Sequence, residues 1–128
     1  MQQTLGKSVS LSGTGLHSGK PVTLTLRPAP AGHGIIFVRR DILDGDNKIP
    51  ALWNRVVNTK LCTVIGNEAG ATVGTIEHLM AALRGCGIDN VIAELNGPEV
   101  PAADGSALPF VKIIEQAGTV SQNARRRF

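Results

Sequence analysis

Aromatic residues are scarce in this chain of 128 residues, which has three Phe, one Trp and no Tyr. Domains that bind nucleic acid stack bases on aromatic rings and carry basic stripes, so this scarcity argues against a nucleic-acid partner. The net charge of +3 does not alter this, because Arg125, Arg126 and Arg127 account for the whole excess. We expect this run to be a solvated tail. The competing hypothesis, nucleic-acid binding through the run, requires that deleting the last four residues abolishes binding.

Cysteine and long apolar runs are also sparse. The two cysteines, Cys62 and Cys86, lack C-x-x-C spacing, and we expect reduced thiols, with Cys62 a small apolar residue rather than a nucleophile. No apolar run approaches the roughly 18–20 residues that cross a bilayer, and the N-terminus lacks the apolar stretch of a secretory signal. With 42% hydrophobic residues, the sequence predicts one globular domain in the cytoplasm.

Several short segments have the pattern of β-strands. Residues 22–27 alternate apolar with polar side chains, which is the period of a strand with one buried face. We expect this strand to pair with one around 7–11, and residues 35–39 to add a third strand, so that the three form a meander. Two further strands are predicted at 61–66 and 90–96, which are rich in β-branched residues.

Two other segments change to helical periodicity. Apolar residues recur at helical spacing in 75–85 and in 106–118. Thr75 and Ser106 are placed to cap the N-termini, and Gly118 is placed to end the second helix. The two helices and the strands together predict an α+β two-layer sandwich, with a mostly antiparallel sheet of about five strands and both helices on one face.

The segment 13–21 has the glycine content of a phosphate-binding loop but the wrong spacing. Thr14 and Pro21 occupy positions where the G-x-x-x-x-G-K-[ST] motif needs Gly and Ser or Thr, and a predicted strand follows instead of a helix. We therefore interpret the segment as a turn between strands, with Leu16 and His17 at an exposed tip. A single histidine in such a loop is more often solvated than functional.

The first helix carries an unusual polar pair, Glu77 and His78. On a helical wheel this pair lies opposite the apolar stripe, together with Ala81 and Ala82, whose small side chains leave room for another group to approach. In the first turn the helix dipole favours anionic glutamate and neutral imidazole. Neutral imidazole is a metal ligand, and the adjacent carboxylate could accept a proton from metal-bound water.

The residues alone leave a plainer interpretation of this pair open. The chain has no second His of an H-E-x-x-H motif, so Glu77 and His78 are also compatible with an ordinary solvated face. A catalytic zinc site needs three protein ligands and an open position. The three histidines are His17, His33 and His78, and His33 lies in a glycine-flanked turn. A complete zinc site within this chain alone is therefore not expected.

The segment around this pair resembles the signature of the UDP-3-O-acyl-N-acetylglucosamine deacetylases, the zinc amidases of lipid A synthesis. The resemblance rests on Thr75-Ile76-Glu77-His78-Leu79-Met80-Ala81-Ala82-Leu83 followed by Gly87-Ile88-Asp89-Asn90. Residues 13–19, 22–30 and 104–111 agree with the same family and occur in the same order. The resemblance thus covers essentially the whole chain.

The resemblance implies that residues 1–120 form the first of two α+β domains, each of the ribosomal protein S5 domain 2-like fold, and that residues 121–128 begin a basic linker. It implies that Glu77 is the general base and that His78 is a ligand of Zn²⁺. The substrate would be a UDP-linked acylated amino sugar, which loses its N-acetyl group. Residues that it places near the substrate are Leu16, His17, Leu61, Cys62 and Thr63.

The remaining zinc ligands of that family lie in its second domain, so we expect this chain to be inactive alone. The alternative hypothesis is a non-catalytic module of the same fold that stands alone. It would bind a partner, or a second copy of itself, through the face with Ala81 and Ala82. Without a second layer that helix surface would expose apolar area.

Overall fold

The computed structural model describes residues 1–52, 56–58 and 63–126. Two helices and ten strands follow one another along these residues. In chain order they are β1 (Gln3–Leu5), β2 (Val9–Thr14), β3 (Pro21–Pro28), β4 (Ile35–Arg39), β5 (Lys48–Pro50), β6 (Val56–Asn58), β7 (Val64–Gly66), β8 (Thr72–Gly74), α1 (Glu77–Gly85), β9 (Val91–Leu95), α2 (Leu108–Ala117) and β10 (Thr119–Ser121).

A five-stranded sheet in the order β2-β3-β9-β4-β5 forms one layer of the molecule. Its pairs are antiparallel except for β4 and β9, which run parallel. The alternation predicted for residues 22–27 is confirmed, because Val22, Leu24 and Leu26 are buried while the side chains between them are not. The sheet therefore presents one apolar face to the core and one polar face to solvent.

The predicted meander is wrong, because β9 lies between β3 and β4. Alternation shows which face of a strand is buried but not which strand lies beside it. Two charged contacts help to hold β9 in the centre: Glu94 accepts hydrogen bonds from Arg27 on β3 and from Arg40, which follows β4. These ion pairs bridge β9 to both of its neighbours.

The two helices pack against each other, and α2 also packs against β2. Residues from both helices and from the sheet share one hydrophobic core, whose largest fully buried side chains include Phe37, Phe110, Leu24, Leu79 and Leu83. The predicted α+β two-layer sandwich is confirmed.

The helix ends differ in detail from the predictions. Thr75 does not cap α1: it has a positive φ of 59°, and Ile76 is the N-cap. The left-handed backbone at Thr75 turns its hydroxyl away from the helix, toward another partner described below. The prediction that Ser106 caps α2 is also wrong, because Ala107 is the N-cap and has no side-chain capping bond; the Leu108 N–H donates to the Ser106 hydroxyl at 3.2 Å. Helix α2 ends before Gly118, whose φ is 72°.

Two smaller sheets complete the fold. Strands β6, β7 and β8 form an antiparallel sheet beside α1, and β7 accounts for the described part of the strand predicted at 61–66. Strand β10 pairs with β1, and the following Arg126 forms an ion pair with Asp89. The described part of the C-terminal segment is therefore attached to the domain. Neither helix in the described residues has the length and apolar character needed to cross a membrane.

Candidate functional site

Glu77 and His78 are the first two residues of α1, and both are half-buried. Of the two alanines expected beside them, Ala81 is exposed, whereas only 1% of Ala82 is accessible. The prediction that both alanines line the open face is wrong for Ala82. At 100° per residue Ala82 lies only 60° from Leu79 around the helix, so it belongs to the edge of the apolar stripe.

A groove of about 350 Å³ runs between α1 and the small sheet β6-β7-β8. Glu77 lies in its wall, and Arg84 lies in the wall two turns further along α1, about 10 Å away by helical rise. The rest of the lining is mostly apolar and consists of Ala51, Leu52, Val56, Thr63, Ile65, Ile76 and Met80. Among the described residues, the surroundings of Glu77 in this groove are therefore mostly apolar.

Thr63 is one of the predicted substrate residues, and it contacts Glu77. Its backbone N–H points at the carboxylate, with its nitrogen 3.3 and 3.4 Å from the two oxygens. A backbone donor in this position restricts the orientation of the carboxylate. Leu61 and Cys62, which were predicted to contact substrate beside Thr63, lie outside the described residues. The structure thus brings Thr63 and Glu77 together, while the substrate contact of Thr63 stays a prediction.

Leu16 and His17 lie at the tip of the loop between β2 and β3, as predicted. Leu16 is 62% exposed, and His17 is exposed as well. The loop closes on itself through two backbone hydrogen bonds, from Gly15 N–H to the Lys20 carbonyl (2.9 Å) and from Gly19 N–H to the Gly15 carbonyl (3.0 Å). Within the described residues, this loop is connected to the start of α1 by hydrogen bonds to a shared carboxylate. The sequence analysis did not identify that carboxylate.

That carboxylate belongs to Glu99, which is 7% exposed. It accepts the backbone N–H of His17 at 3.0 Å, the backbone N–H of Ser18 at 2.7 Å and the hydroxyl of Thr75 at 3.3 Å. Burial raises the pKa of Glu99, but the hydrogen bonds from His17, Ser18 and Thr75 outweigh burial and hold that pKa below its ordinary value. One sequence signal could have found this residue: Glu99 is the only charged side chain between residues 95 and 103.

The cysteine that the structure describes, Cys86, is a free thiol at the C-terminus of α1. Burial, followed by the negative charge of Glu115, raises its pKa, so the sulfur is held as a neutral thiol. This agrees with the expectation of a reduced thiol at Cys86. The other predicted thiol, Cys62, lies outside the described residues.

The described residues do not by themselves fit a complete zinc site. Among residues 1–52, 56–58 and 63–126, no group of three or more His, Cys, Asp and Glu side chains is arranged to hold a metal ion. His78 has no hydrogen-bonding partner in the described part of the chain, so its imidazole is free to act as one ligand. A catalytic zinc ion needs two more protein ligands.

The fold and this site define a two-layer α+β domain with a half-buried glutamate and a half-buried histidine as the first two residues of a helix. The sequence model of the family described as UDP-3-O-acyl N-acetylglycosamine deacetylase matches residues 2–128. The chain therefore belongs to the UDP-3-O-acyl-N-acetylglucosamine deacetylase family.

Relatives that bear the name UDP-3-O-acyl-N-acetylglucosamine deacetylase match almost the whole chain. The protein of Myxococcus xanthus is 60% identical over 123 residues, which are 96% of this chain and 38% of that protein. The protein of Geotalea uraniireducens is 56% identical over 127 residues, which are 99% of this chain and 41% of that protein. The protein of Pasteurella multocida is 51% identical over 127 residues, with the same coverage. The chain thus spans about two-fifths of the length of these relatives.

Proposed function

We propose that this chain supplies the Glu77–His78 half of the active site of a zinc-dependent amide hydrolase. The substrate is a UDP-linked 3-O-acylated amino sugar, which loses its N-acetyl group in lipid A biosynthesis. The observation that carries the proposal is the position of Glu77 in the wall of the groove, with His78 as the next residue of α1. The family membership and the names of the relatives support the substrate class.

In this proposal Glu77 is the general base. The Thr63 N–H orients the carboxylate, whose oxygens have further lone pairs that can accept a proton from an attacking water. The apolar lining of the groove limits competing water, which strengthens the interaction of the carboxylate with that proton. Glu77 therefore takes up the proton as the water adds to the amide carbonyl.

His78 provides one ligand to Zn²⁺, and the other ligands come from outside the described residues. A bound zinc ion would supply Lewis-acid polarisation of the carbonyl and acidify the attacking water. A metal binds the neutral form of the imidazole, which has a ring-nitrogen lone pair to donate. Because a single histidine binds zinc weakly, we propose that the isolated chain has no deacetylase activity.

A domain exchange tests the catalytic roles. Residues 1–126 of this chain replace the matching segment of the Myxococcus xanthus relative, and the hybrid protein is assayed for acetate release and for bound zinc. We expect an active hybrid, in which Glu77→Gln lowers kcat by about a hundredfold or more and leaves the zinc content unchanged. His78→Ala should lower the zinc content.

The matched control is Glu115→Gln, because Glu115 is an exposed carboxylate on α2. This substitution should leave kcat and the zinc content of the hybrid unchanged. A Glu77→Gln hybrid with the kcat of the parent hybrid would contradict the role of Glu77 as base. Turnover by the 128-residue chain alone, with added zinc and substrate, at the rate of a full-length relative would contradict the proposed division of the site.

The second candidate function is a non-catalytic module that self-associates through the open face of α1 and α2. The observation that favours it is the exposure of Leu108 (54%) at the start of α2, together with exposed Ala81. Ala82 is buried and cannot contribute to this contact. Light scattering distinguishes the two candidates, since a chain that stays monomeric at high concentration would refute self-association.

A further inference from the structure

The side chain of Glu99 connects two parts of the molecule that are distant in the sequence. It lies on the segment 98–102, which follows β9 and makes backbone hydrogen bonds in two directions. On one side Gly74 N–H donates to the Pro98 carbonyl at 2.8 Å and Val100 N–H donates to the Gly74 carbonyl at 3.1 Å. On the other side Ala102 N–H donates to the Thr14 carbonyl at 3.0 Å. The segment therefore lies between the end of β8 and the β2–β3 loop.

The carboxylate of Glu99 repeats this bridging with its two oxygens. Oε1 accepts the N–H of Ser18, and Oε2 accepts both the N–H of His17 and the hydroxyl of Thr75. The first two donors belong to the exposed loop, and the third belongs to the residue that leads into α1. The loop leaves space for the carboxylate only because residue 15 is glycine: a Cβ there would lie 3.1 Å from Oε1 of Glu99 and 2.5 Å from the hydroxyl oxygen of Ser18.

The bond to Thr75 acts at a strained position. A β-branched residue with φ of 59° is disfavoured, and such conformations persist where surrounding contacts hold them. Thr75 lies two residues before Glu77, so its backbone sets the direction in which α1 begins. By holding Thr75 and the loop at one point, Glu99 restricts the loop tip relative to Glu77 and His78.

We propose that Glu99 is a positioning residue that fixes the Leu16–His17 loop relative to the Glu77–His78 end of α1. The proposal rests on the proposed function for its consequence in catalysis, but the link between loop and helix stands on the hydrogen bonds alone. Glutamine cannot reproduce these bonds, because the N–H groups of His17 and Ser18 donate to two different carboxylate oxygens and glutamine has only one acceptor oxygen.

Amide hydrogen exchange on this chain tests the link. In Glu99→Gln the backbone amides of His17 and Ser18 should exchange about tenfold faster or more, because they lose a charge-assisted bond. The amides of Leu24 and Ala93 in the central sheet should keep their parental rates. Glu115→Gln is the control of equal charge change. Unchanged exchange at both His17 and Ser18 would overturn the proposal.

A second variant, Thr75→Val, keeps the shape of the side chain and removes only the donor on the helix side. We expect the backbone resonances of Glu77 and His78 to shift in its nitrogen–proton NMR spectrum, while the His17 and Ser18 amides stay protected. Because this substitution leaves the carboxylate in place, it also serves if Glu99→Gln does not fold. An unchanged spectrum at Glu77 and His78 would overturn the connection to the helix.

The hybrid enzyme tests the consequence for catalysis. In the hybrid, Glu99→Gln should raise KM and lower kcat, so that kcat/KM falls about tenfold or more while the zinc content is unchanged. The reason is that the loop and the helix no longer hold their relative positions. Faster exchange at His17 with parental kcat and KM would overturn the positioning role. An inactive parent hybrid would refute the proposed function instead, while the exchange experiment on this chain would still test Glu99.

Discussion

Asn90 is a buried side chain with three hydrogen bonds at the junction of the terminal strands, and its removal gives a sharp test of the fold. It is 2% exposed. Its amide nitrogen donates to Gln2 Oε1 at 2.9 Å and to Gln122 Oε1 at 2.7 Å, and its amide oxygen accepts the Gly34 N–H at 2.8 Å. These three bonds join the residues that flank β1, β10 and β4. Asn90→Ala removes all of them together.

The expected loss follows from the count of bonds and from burial. A net contribution of about 1 kcal/mol for each hydrogen bond gives a decrease of about 3 kcal/mol in the free energy of unfolding. Asn96→Ala is the matched control, because Asn96 is exposed and accepts one bond, from the Thr23 N–H at 2.9 Å. We expect the control to lose no more than about 1 kcal/mol.

Urea unfolding measures the free energy of unfolding of both variants. The dependence of that free energy on urea concentration should be the same in both, because neither substitution changes the surface exposed on unfolding by much. Thermal unfolding should show a midpoint lowered by about 10 °C for Asn90→Ala, given the usual shift of a few degrees per kcal/mol for a domain of this size. If the two variants differ by less than about 0.5 kcal/mol, the buried amide cluster does not stabilise the junction and the reasoning fails.

Three further predictions concern the core, acid stability and the C-terminal segment. Phe110→Ala should lower the free energy of unfolding by about 3–5 kcal/mol, because the ring is 1% exposed. Leu108→Ala should lower it by less than about 1 kcal/mol, because Leu108 is 54% exposed. Calorimetry on both variants measures the difference. The folded-state pKa of Glu99 lies below its ordinary value, so its contribution to stability is present above that ordinary value and is lost as pH falls through the folded pKa. The test uses a His17→Gln background, which removes the neighbouring titratable imidazole. As pH falls from about 7 to about 3, the difference in free energy of unfolding between the protein with Glu99 and the Glu99→Gln variant should decrease, and a constant difference would contradict this. Arg126→Ala should lower the free energy of unfolding by at most about 1 kcal/mol, because the ion pair between Arg126 and Asp89 is partly exposed. High salt should make this loss smaller.

Local patterns predicted both helices and five of the ten strands that the structure describes. The period of two in residues 22–27 and the apolar run at 90–96 correspond to β3 and β9, and the period of 3.6 in residues 106–118 corresponds to α2. Gly118 ends α2 with a positive φ, as its lack of a side chain allows. These features depend on neighbours within a few residues, so the sequence contains them directly.

The candidate site could be predicted only in part. The Glu77–His78 pair and its place at the start of a helix follow from the apolar period and from the resemblance to the deacetylases. The approach of the Thr63 N–H to Glu77 does not, because the two residues are 14 positions apart and lie on separate elements. Glu99 was missed for the same reason, since its partners are 24 or more positions away.

The sequence by itself determined the alternation of β3, the main apolar stripes of its helices and the chemistry available at residues 77 and 78, because these depend on side-chain identity and local spacing. Only the tertiary structure decided that β9 enters between β3 and β4, that Thr75 adopts a left-handed backbone, and that Glu99 joins the loop to the helix. Each of these depends on polar and charged groups that find partners across the fold when they are buried, and such pairing leaves no periodic trace along the chain.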